Sequence, residues 1–323
     1  MDVDADGSQE LLATADEGLS ILHRDRRLTL LHASHPLDVA WTHEDQSGLE
    51  LLVLSETSGE LSIEQLVCTE TAEPSCEVLL QVRVDHVATE ILVGDFDEDG
   101  RNDLVLGGVR NVSVLRGFAS DDGSPRRGTT EDVGVVEGFD AESHARMLAA
   151  DLDSDGHLDI ASLDLEVGVK AFFGAGDGSF VEAGLADSSL ADAYRLHAAD
   201  LGGDGSIELI VMGWSNTWVL EKQGRRSFER SSGLDTALGR TAPASLLGDF
   251  DEAPGMELLL VEDFVDFASV ASYSDASSQW VVRELSSLPD GPTSYIHWAT
   301  AWDVDADGFD EAVSLLGTPI YCE

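Results

Sequence analysis

The feature that most constrains this chain is a nine-residue acidic motif that returns every 40–56 residues. It begins at Asp2 (DVDADGSQE), Asp95 (DFDEDGRND), Asp151 (DLDSDGHLD), Asp200 (DLGGDGSIE), Asp249 (DFDEAPGME) and Asp303 (DVDADGFDE), with a worn copy at Thr42 (THEDQSGLE). Self-similarity at such a period signals a repeat architecture, in which each unit buries its apolar faces against its neighbours.

Within the motif, carboxylates at positions 1, 3, 5 and 9 can converge on one hard cation, and the glycine at position 6 permits a sharp turn. Calcium takes six to eight oxygen ligands, so four carboxylates, a backbone carbonyl at position 7 and water suit it. An EF-hand shares the opening acids but needs flanking helices and a glutamate at position 12, where the Asp151 copy has Ser162. The flanks are short apolar runs bounded by turn residues, such as 145–150 and 160–163, which read as strands. The motif is therefore a calcium loop between two strands.

A strand-like run follows each loop, at residues 10–12, 50–54, 103–106, 159–163, 208–212, 257–261 and 311–316. Further strands are expected over 167–173 and 217–220, and from Phe180 onward. Four strands per period describe a propeller blade. Phe172-Phe-Gly-Ala-Gly-Asp-Gly-Ser-Phe180, together with the acidic loops, resembles the FG-GAP/VCBS repeat of integrin-alpha-like β-propellers and many bacterial extracellular proteins. The resemblance covers essentially the whole chain. It implies an all-β, seven-bladed propeller of four-stranded antiparallel blades, with calcium loops between first and second strands. It names no single function, because the fold hosts many.

Four loops are intact, and about four structural calcium ions are expected in them. Their ligands are Asp2, Asp4, Asp6, Ser8 and Glu10; Asp95, Asp97, Asp99, Arg101 and Asp103; Asp151, Asp153, Asp155, His157 and Asp159; and Asp303, Asp305, Asp307, Phe309 and Glu311, the seventh position offering its carbonyl. Acids also cap turns without metal. Against that reading, each close pair of converged carboxylates costs ~1–4 kcal/mol unless a cation offsets it. The Asp200 loop has Gly202 at position 3 and keeps Asp200, Asp204 and Glu208 as a weaker site. The Thr42 and Asp249 loops lack the acids for a site. Both carry a glycine at position 7 (Gly48 and Gly255), so a common metal-free turn is expected there.

At 323 residues with no long linker, the chain reads as one domain; 121–130 is a surface loop within a blade. Its 63 acidic residues against 18 basic ones give a formal net charge of −45, which repels nucleic acid and anionic lipid. No run approaches a membrane span, and no signal peptide is present. The first loop lacks a preceding strand and the last unit an evident fourth, so the native polypeptide is expected to extend upstream, with incomplete first and last blades and an export signal beyond this chain. Cys68 and Cys76 flank an apparent strand turn, where a disulfide would fit an oxidising compartment and two free thiols are the alternative. Cys322 is left over.

No GxSxG, HExxH, P-loop or dinucleotide fingerprint occurs. One constellation is less bland: His35, His86, His144, Arg146, Arg195, His197, Arg240 and His297 all fall shortly before a loop, near Trp41, Trp298 and Trp302. If first strands line the axis, as the family resemblance implies, these residues ring one mouth of a channel and suit an acidic sugar or a protein carboxylate. The competing reading is polar strand starts and core tryptophans. The leading function is a non-catalytic, calcium-stabilised propeller of an exported or cell-surface protein. It acts as a monomer in recognition or adhesion toward a protein or glycan. A lectin-like module is the second reading, although the loops differ too much to repeat one pocket seven times. The third is a calcium-dependent polysaccharide lyase, for which His144, Arg146, Arg195 and His197 supply a base and cations.

Overall fold

A computed structural model describes residues 11–15, 18–22, 28–32, 36–45, 48–68, 76–84, 88–108, 111–116, 130–135, 147–164, 168–186, 190, 193–213, 216–231, 234, 244–250, 255–261, 268–274, 279–284, 299–302, 311–314 and 319–320. The chain separates into two compact units, Met1–Glu166 with Lys170–Gly184, and Val167–Val169 with Leu185–Glu323.

Among the described residues the fold is all-β, and its 26 strands form seven sheets. The first sheet holds β1 (Leu11–Ala15), β2 (Gly18–Leu22) and β3 (Leu28–His32). The second holds β4 (Pro36–Asp45), β5 (Gly48–Thr57), β6 (Glu60–Cys68) and β7 (Cys76–Val84). The third is β8 (Glu90–Gly94), β9 (Asp103–Gly107), β10 (Asn111–Leu115) and β11 (Thr130–Val135). The fourth is β12 (Met147–Ala150), β13 (Asp159–Asp164), β14 (Gly168–Gly174) and β15 (Phe180–Ala186).

The fifth sheet comprises β16 (Ala193–Ala199), β17 (Glu208–Gly213), β18 (Thr217–Gly224) and β19 (Ser227–Arg230). The sixth comprises β20 (Ala244–Gly248), β21 (Glu257–Val261), β22 (Ala268–Ser274) and β23 (Gln279–Glu284). The last has β24 (Ala299–Trp302), β25 (Glu311–Ser314) and β26 (Pro319–Ile320). Every sheet runs in simple sequence order, as antiparallel meanders do, so the four-strand units are consistent with propeller blades.

Burial follows strand position. Second strands such as β9 and β13 are buried along their whole length, because both of their faces meet apolar side chains. Along β5 the pleat sends Leu51 and Val53 into a cluster with Leu19, Leu66 and Cys68, while Leu52 and Leu54 enter another with Ile91, Leu104 and Leu106. Val105 of β9 turns to a third cluster with Phe96, Ile160 and Phe172. In the second unit, Ile210 and Met212 of β17 pack on Leu258 and Leu260 of β21. Fourth strands carry the exposed apolar side chains, Val78, Leu79, Val181 and Val281. The two-residue period of the sequence thus builds successive face-to-face layers.

Two acids, part-buried Asp38 and buried Glu90, also link sheets. Asp38 of β4 accepts the Ile91 amide of β8 at 2.8 Å and the Val39 amide at 2.9 Å, and Glu90 of β8 accepts the Met147 amide of β12 at 3.0 Å. Burial raises the Asp38 carboxyl from 3.8 to about 6, against the pull of its two amide bonds. A carboxyl raised on folding favours the folded state most below its unfolded value, and that contribution is lost as pH rises through the folded one. Lowering the pH from 7 to 4 should therefore shift the difference in unfolding free energy between wild type and Asp38→Asn by ~2–3 kcal/mol toward wild type. Urea melts of both proteins across that range test it, and a pH-independent difference sinks it.

Cys68 and Cys76 are opposite one another across β6 and β7, with Cα atoms 3.9 Å apart, and they form a disulfide. Residues 69–75 and Cys322 lie outside the described residues. The Thr42 copy departs from expectation. It does not form a nine-residue loop: β4 continues through residues 42–45 and Asp45 pairs directly with Gly48 of β5. Gly255, in contrast, has φ +103°, and a Cβ there would meet the Leu201 carbonyl oxygen at 2.4 Å. The two worn copies therefore share no turn, since one glycine sits in a strand and the other in a left-handed bend.

Candidate metal centres

Five hairpins share one register: Gly94 faces Asp103, Ala150 faces Asp159, Ala199 faces Glu208, Gly248 faces Glu257 and Trp302 faces Glu311. The acid at position 9 thus opens each second strand. The three loops from Asp95, Asp151 and Asp200 are described throughout and share a backbone, with left-handed residues at position 4 (Glu98, Ser154, Gly203) and position 6 (Gly100, Gly156, Gly205).

Position 1 organises the turn. Asp95 accepts the amides of Asp99 and Gly100 at 3.1 and 3.0 Å; Asp151 accepts those of Asp155 and Gly156 at 3.0 and 2.9 Å; Asp200 accepts those of Asp204 and Gly205 at 3.0 and 2.7 Å. Position 5 repeats the device on position 7, since Asp99, Asp155 and Asp204 accept the amides of Arg101, His157 and Ser206. These Asx-type bonds explain why aspartate, with its short carboxylate, occupies the odd positions.

Position 9 closes the loop. Asp103, Asp159, Glu208 and Glu257 each accept the amide of position 2, respectively Phe96, Leu152, Leu201 and Phe250, at 2.7–3.1 Å. The position-2 side chains are buried anchors, none more than 3% exposed. Their regular apolar character was visible in the sequence as the second letter of every DxDxDG copy, and its structural role was missed. Asp159 is wholly buried and goes further, accepting the Asp153 amide at 3.3 Å and, through its other oxygen, the Gly174 amide of β14 at 2.8 Å. Position 9 is therefore a backbone clamp as well as a candidate ligand.

Among the described residues, two carboxylate sets are close enough for a shared cation. Oxygens of Asp95, Asp97 and Asp99 lie within 4.8 Å of one another, as do those of Asp151, Asp153 and Asp159. Oxygens bound to one calcium at about 2.3–2.6 Å are separated by at most about 5 Å, so both sets match in spacing and in hard-oxygen character. Burial raises Asp159 to about 6, with the charge of Asp153 adding and the amide bonds of Gly174 and Leu152 opposing. Glu208 rises to about 7 for the same first cause, with Asp204, Asp200 and Glu221 adding repulsion. A cation among them reverses that balance by favouring the charged forms.

The Phe172–Phe180 stretch anchors these loops. Its turn is closed by the Ala175 amide on the Ser179 carbonyl at 3.0 Å, and the Gly178 amide donates to the Phe96 carbonyl at 3.2 Å. The Phe96 and Phe180 rings meet at 5.9 Å. Glycine is required at position 176, where φ is +72° and a Cβ would strike the His157 ring, itself hydrogen-bonded to Glu98 of the Asp95 loop. That bond raises the His157 pKa.

The Asp200 loop borders a cavity of about 150 Å³ lined by Gly202, Asp204, Glu208, Glu221, Tyr273 and Trp280 among others. The Asp2 and Asp303 loops, residues 251–254, and His35, His86, His144, Arg146, Arg240, His297 and Trp298 lie outside the described residues. For Trp41, Trp302 and Glu311 only the strand is described. Of the expected cationic ring, Arg195 and His197 are among the described residues. They sit two residues apart on β16, hence on one face. Burial and then the Arg195 charge lower the His197 pKa to about 4, so this histidine is neutral at physiological pH and adds no positive charge. No helix among the described residues is long and apolar enough to cross a membrane.

Residues 151–211 match the family model of the FG-GAP-like repeat, a stretch that spans one acidic loop, the glycine-rich turn and the next loop. Among solved structures, the chain is similar to a lectin of Agrocybe aegerita described as specifically recognising non-reducing terminal N-acetylglucosamine. That likeness has a TM-score of 0.63 and 16% identity, covering 95% of this chain and 84% of the lectin. It is also similar to the rhamnogalacturonan lyase of Bacillus licheniformis, with a TM-score of 0.47 and 16% identity over 88% of this chain and 44% of the lyase. A third is the V. cholerae biofilm matrix protein Bap1, with a TM-score of 0.44 and 15% identity over 81% of this chain and 42% of that protein. No curated protein sequence matches significantly.

Proposed function

We propose that residues 1–323 form one seven-bladed, calcium-stabilised β-propeller of an exported or cell-surface protein, acting without catalysis in the recognition of a protein or glycan. The observation that carries this reading is the pair of three-carboxylate sets held on one repeated backbone template. The lectin likeness over 95% of the chain supports the propeller architecture. In the described sites, Asp95, Asp97 and Asp99, and Asp151, Asp153 and Asp159 would hold the ions; Asp155 and the position-7 carbonyls complete the expected sets. A bound calcium supplies charge neutralisation and ties each turn to its strand, which is a structural role. About four ions are proposed in all, in the four loops that keep every acid. The net charge of −45 supports neither nucleic-acid binding nor electrostatic attachment to anionic membranes, and a monomer is proposed.

A carbohydrate-binding propeller is the second reading. It is favoured by the cavity that combines carboxylates with the Tyr273 and Trp280 rings. A calcium-dependent polysaccharide lyase, for which His144, Arg146, Arg195 and His197 would supply a base and cations, is less favoured. The test is retention and turnover on a panel of acidic and neutral polysaccharides in millimolar calcium. Retention without unsaturated product supports glycan recognition, product replaces it with a lyase, and neither directs the recognition role to protein ligands.

A further inference from the structure

The Asp200 loop keeps the backbone of the intact loops and loses one side chain. At position 3, where the other described loops carry Asp97 and Asp153, it has Gly202, and Gly202 lines the cavity. The left-handed positions of this loop are Gly203 and Gly205, so no backbone strain calls for glycine at 202. Gly202 instead forms part of the cavity wall where the other loops carry a third carboxylate.

Two adjoining sheets furnish the walls. Asp204, Ser206 and Glu208 come from the loop and the start of β17, and Glu221 and Lys222 from β18; Tyr273 and Trp280 come from β22 and β23. The two rings form an edge-to-face pair with centroids 5.5 Å apart. Trp280 is 8% exposed, and its indole nitrogen is buried without a hydrogen-bond partner among the described residues. A buried indole N–H ordinarily finds an acceptor, so this donor calls for one.

These groups discriminate between ligand classes. A metal ion would use the carboxylates and leave both the rings and the N–H idle. A simple alkylammonium ion would use the carboxylates and the rings, but it carries no acceptor for the N–H. A sugar ring matches all three: its hydroxyls donate to Asp204, Glu208 and Glu221, its oxygens accept from Trp280 and Lys222, and its C–H face lies on aromatic carbon. A cavity of ~150 Å³ admits a benzene-sized ring, and its open side leaves room for the hydroxyls that a pyranose adds to such a ring. We propose that this cavity is a subsite for a single sugar residue, created by the loss of the position-3 acid from the Asp200 loop. The proposal rests on the recognition reading and names its ligand class.

The test uses the full chain in calcium with the methyl pyranosides of glucose, galactose, mannose and N-acetylglucosamine, read by saturation-transfer NMR. Two variants accompany it: Gly202→Asp, which restores the side chain found in the intact loops, and Trp280→Phe, which keeps a ring and removes the donor. Near-UV circular dichroism checks the fold of each. The expected result is transfer to at least one sugar in wild type, loss of it in Gly202→Asp, and about tenfold weaker binding in Trp280→Phe, the size of one lost hydrogen bond to a buried donor. No transfer to any of the four, or transfer undiminished in both variants, overturns the assignment. Retention of the protein on a polysaccharide column that survives both substitutions removes this subsite alone; absence of retention on every polysaccharide and of every protein ligand removes the recognition reading with it.

Discussion

Replacing Asp159 with alanine is expected to lower the unfolding free energy of the calcium-free protein by about 3–5 kcal/mol. The carboxylate is wholly buried and accepts the amides of Leu152, Asp153 and Gly174. Its removal strands three buried N–H groups, each unsatisfied donor costing ~1–3 kcal/mol. The weakest of the three bonds, at 3.3 Å, and relief of a carboxyl raised to about 6 by burial both keep the total below the simple maximum. Asp97→Ala is the matched control. Asp97 is only partly buried and accepts the Asp99 amide at 3.2 Å, so its loss should cost under ~1 kcal/mol without calcium. Urea denaturation in chelator compares the two, and equal losses contradict a clamp role for position 9.

Calcium itself should give the second large effect. A ligand that binds only the folded state stabilises it by ~2.7 kcal/mol per site at a free concentration of a hundred times its Kd. The carboxylate sets of the Asp95 and Asp151 loops both belong to the first unit, so their contributions should add there. Thermal unfolding in millimolar calcium is expected to move well above unfolding in excess chelator. Asp97→Ala should remove about half of the gain from these two loops while leaving the chelated protein nearly unchanged. A melting curve indifferent to calcium rules out a structural ion.

The contrast between these substitutions shows how the sequence and the structure divide the information. Repetition of DxDxDG and the apolar runs after it placed the second strands: residues 159–163 are within β13 and 257–261 match β21. The glycine-rich turn before Phe180 was equally legible, because positive φ at Gly176 and Gly178 restricts those positions to glycine. What the motif could not convey was how deeply each acid is buried and how many amides it holds. Asp151 and Asp159 are the same residue type in one loop, yet only the register that sets Ala150 opposite Asp159 buries the latter among amides.

The misjudged Thr42 copy has a related cause. Without acids at positions 1 and 5 to accept turn amides, extended pairing continues through residues 42–45 and the loop is absorbed into the hairpin. The cavity was illegible for a different reason. Gly202, Glu221, Tyr273 and Trp280 come from four elements of two sheets, and no local spacing brings them together. At His197 burial lowers the pKa to about 4, a property that residue type does not carry.

The most direct test is a crystal structure of the full chain grown in millimolar calcium, with anomalous scattering recorded at a wavelength where calcium contributes. The account predicts anomalous peaks among Asp95, Asp97 and Asp99 and among Asp151, Asp153 and Asp159, each coordinated at about 2.3–2.6 Å. Ordered carboxylates in the same arrangement with no peak in either loop would contradict it.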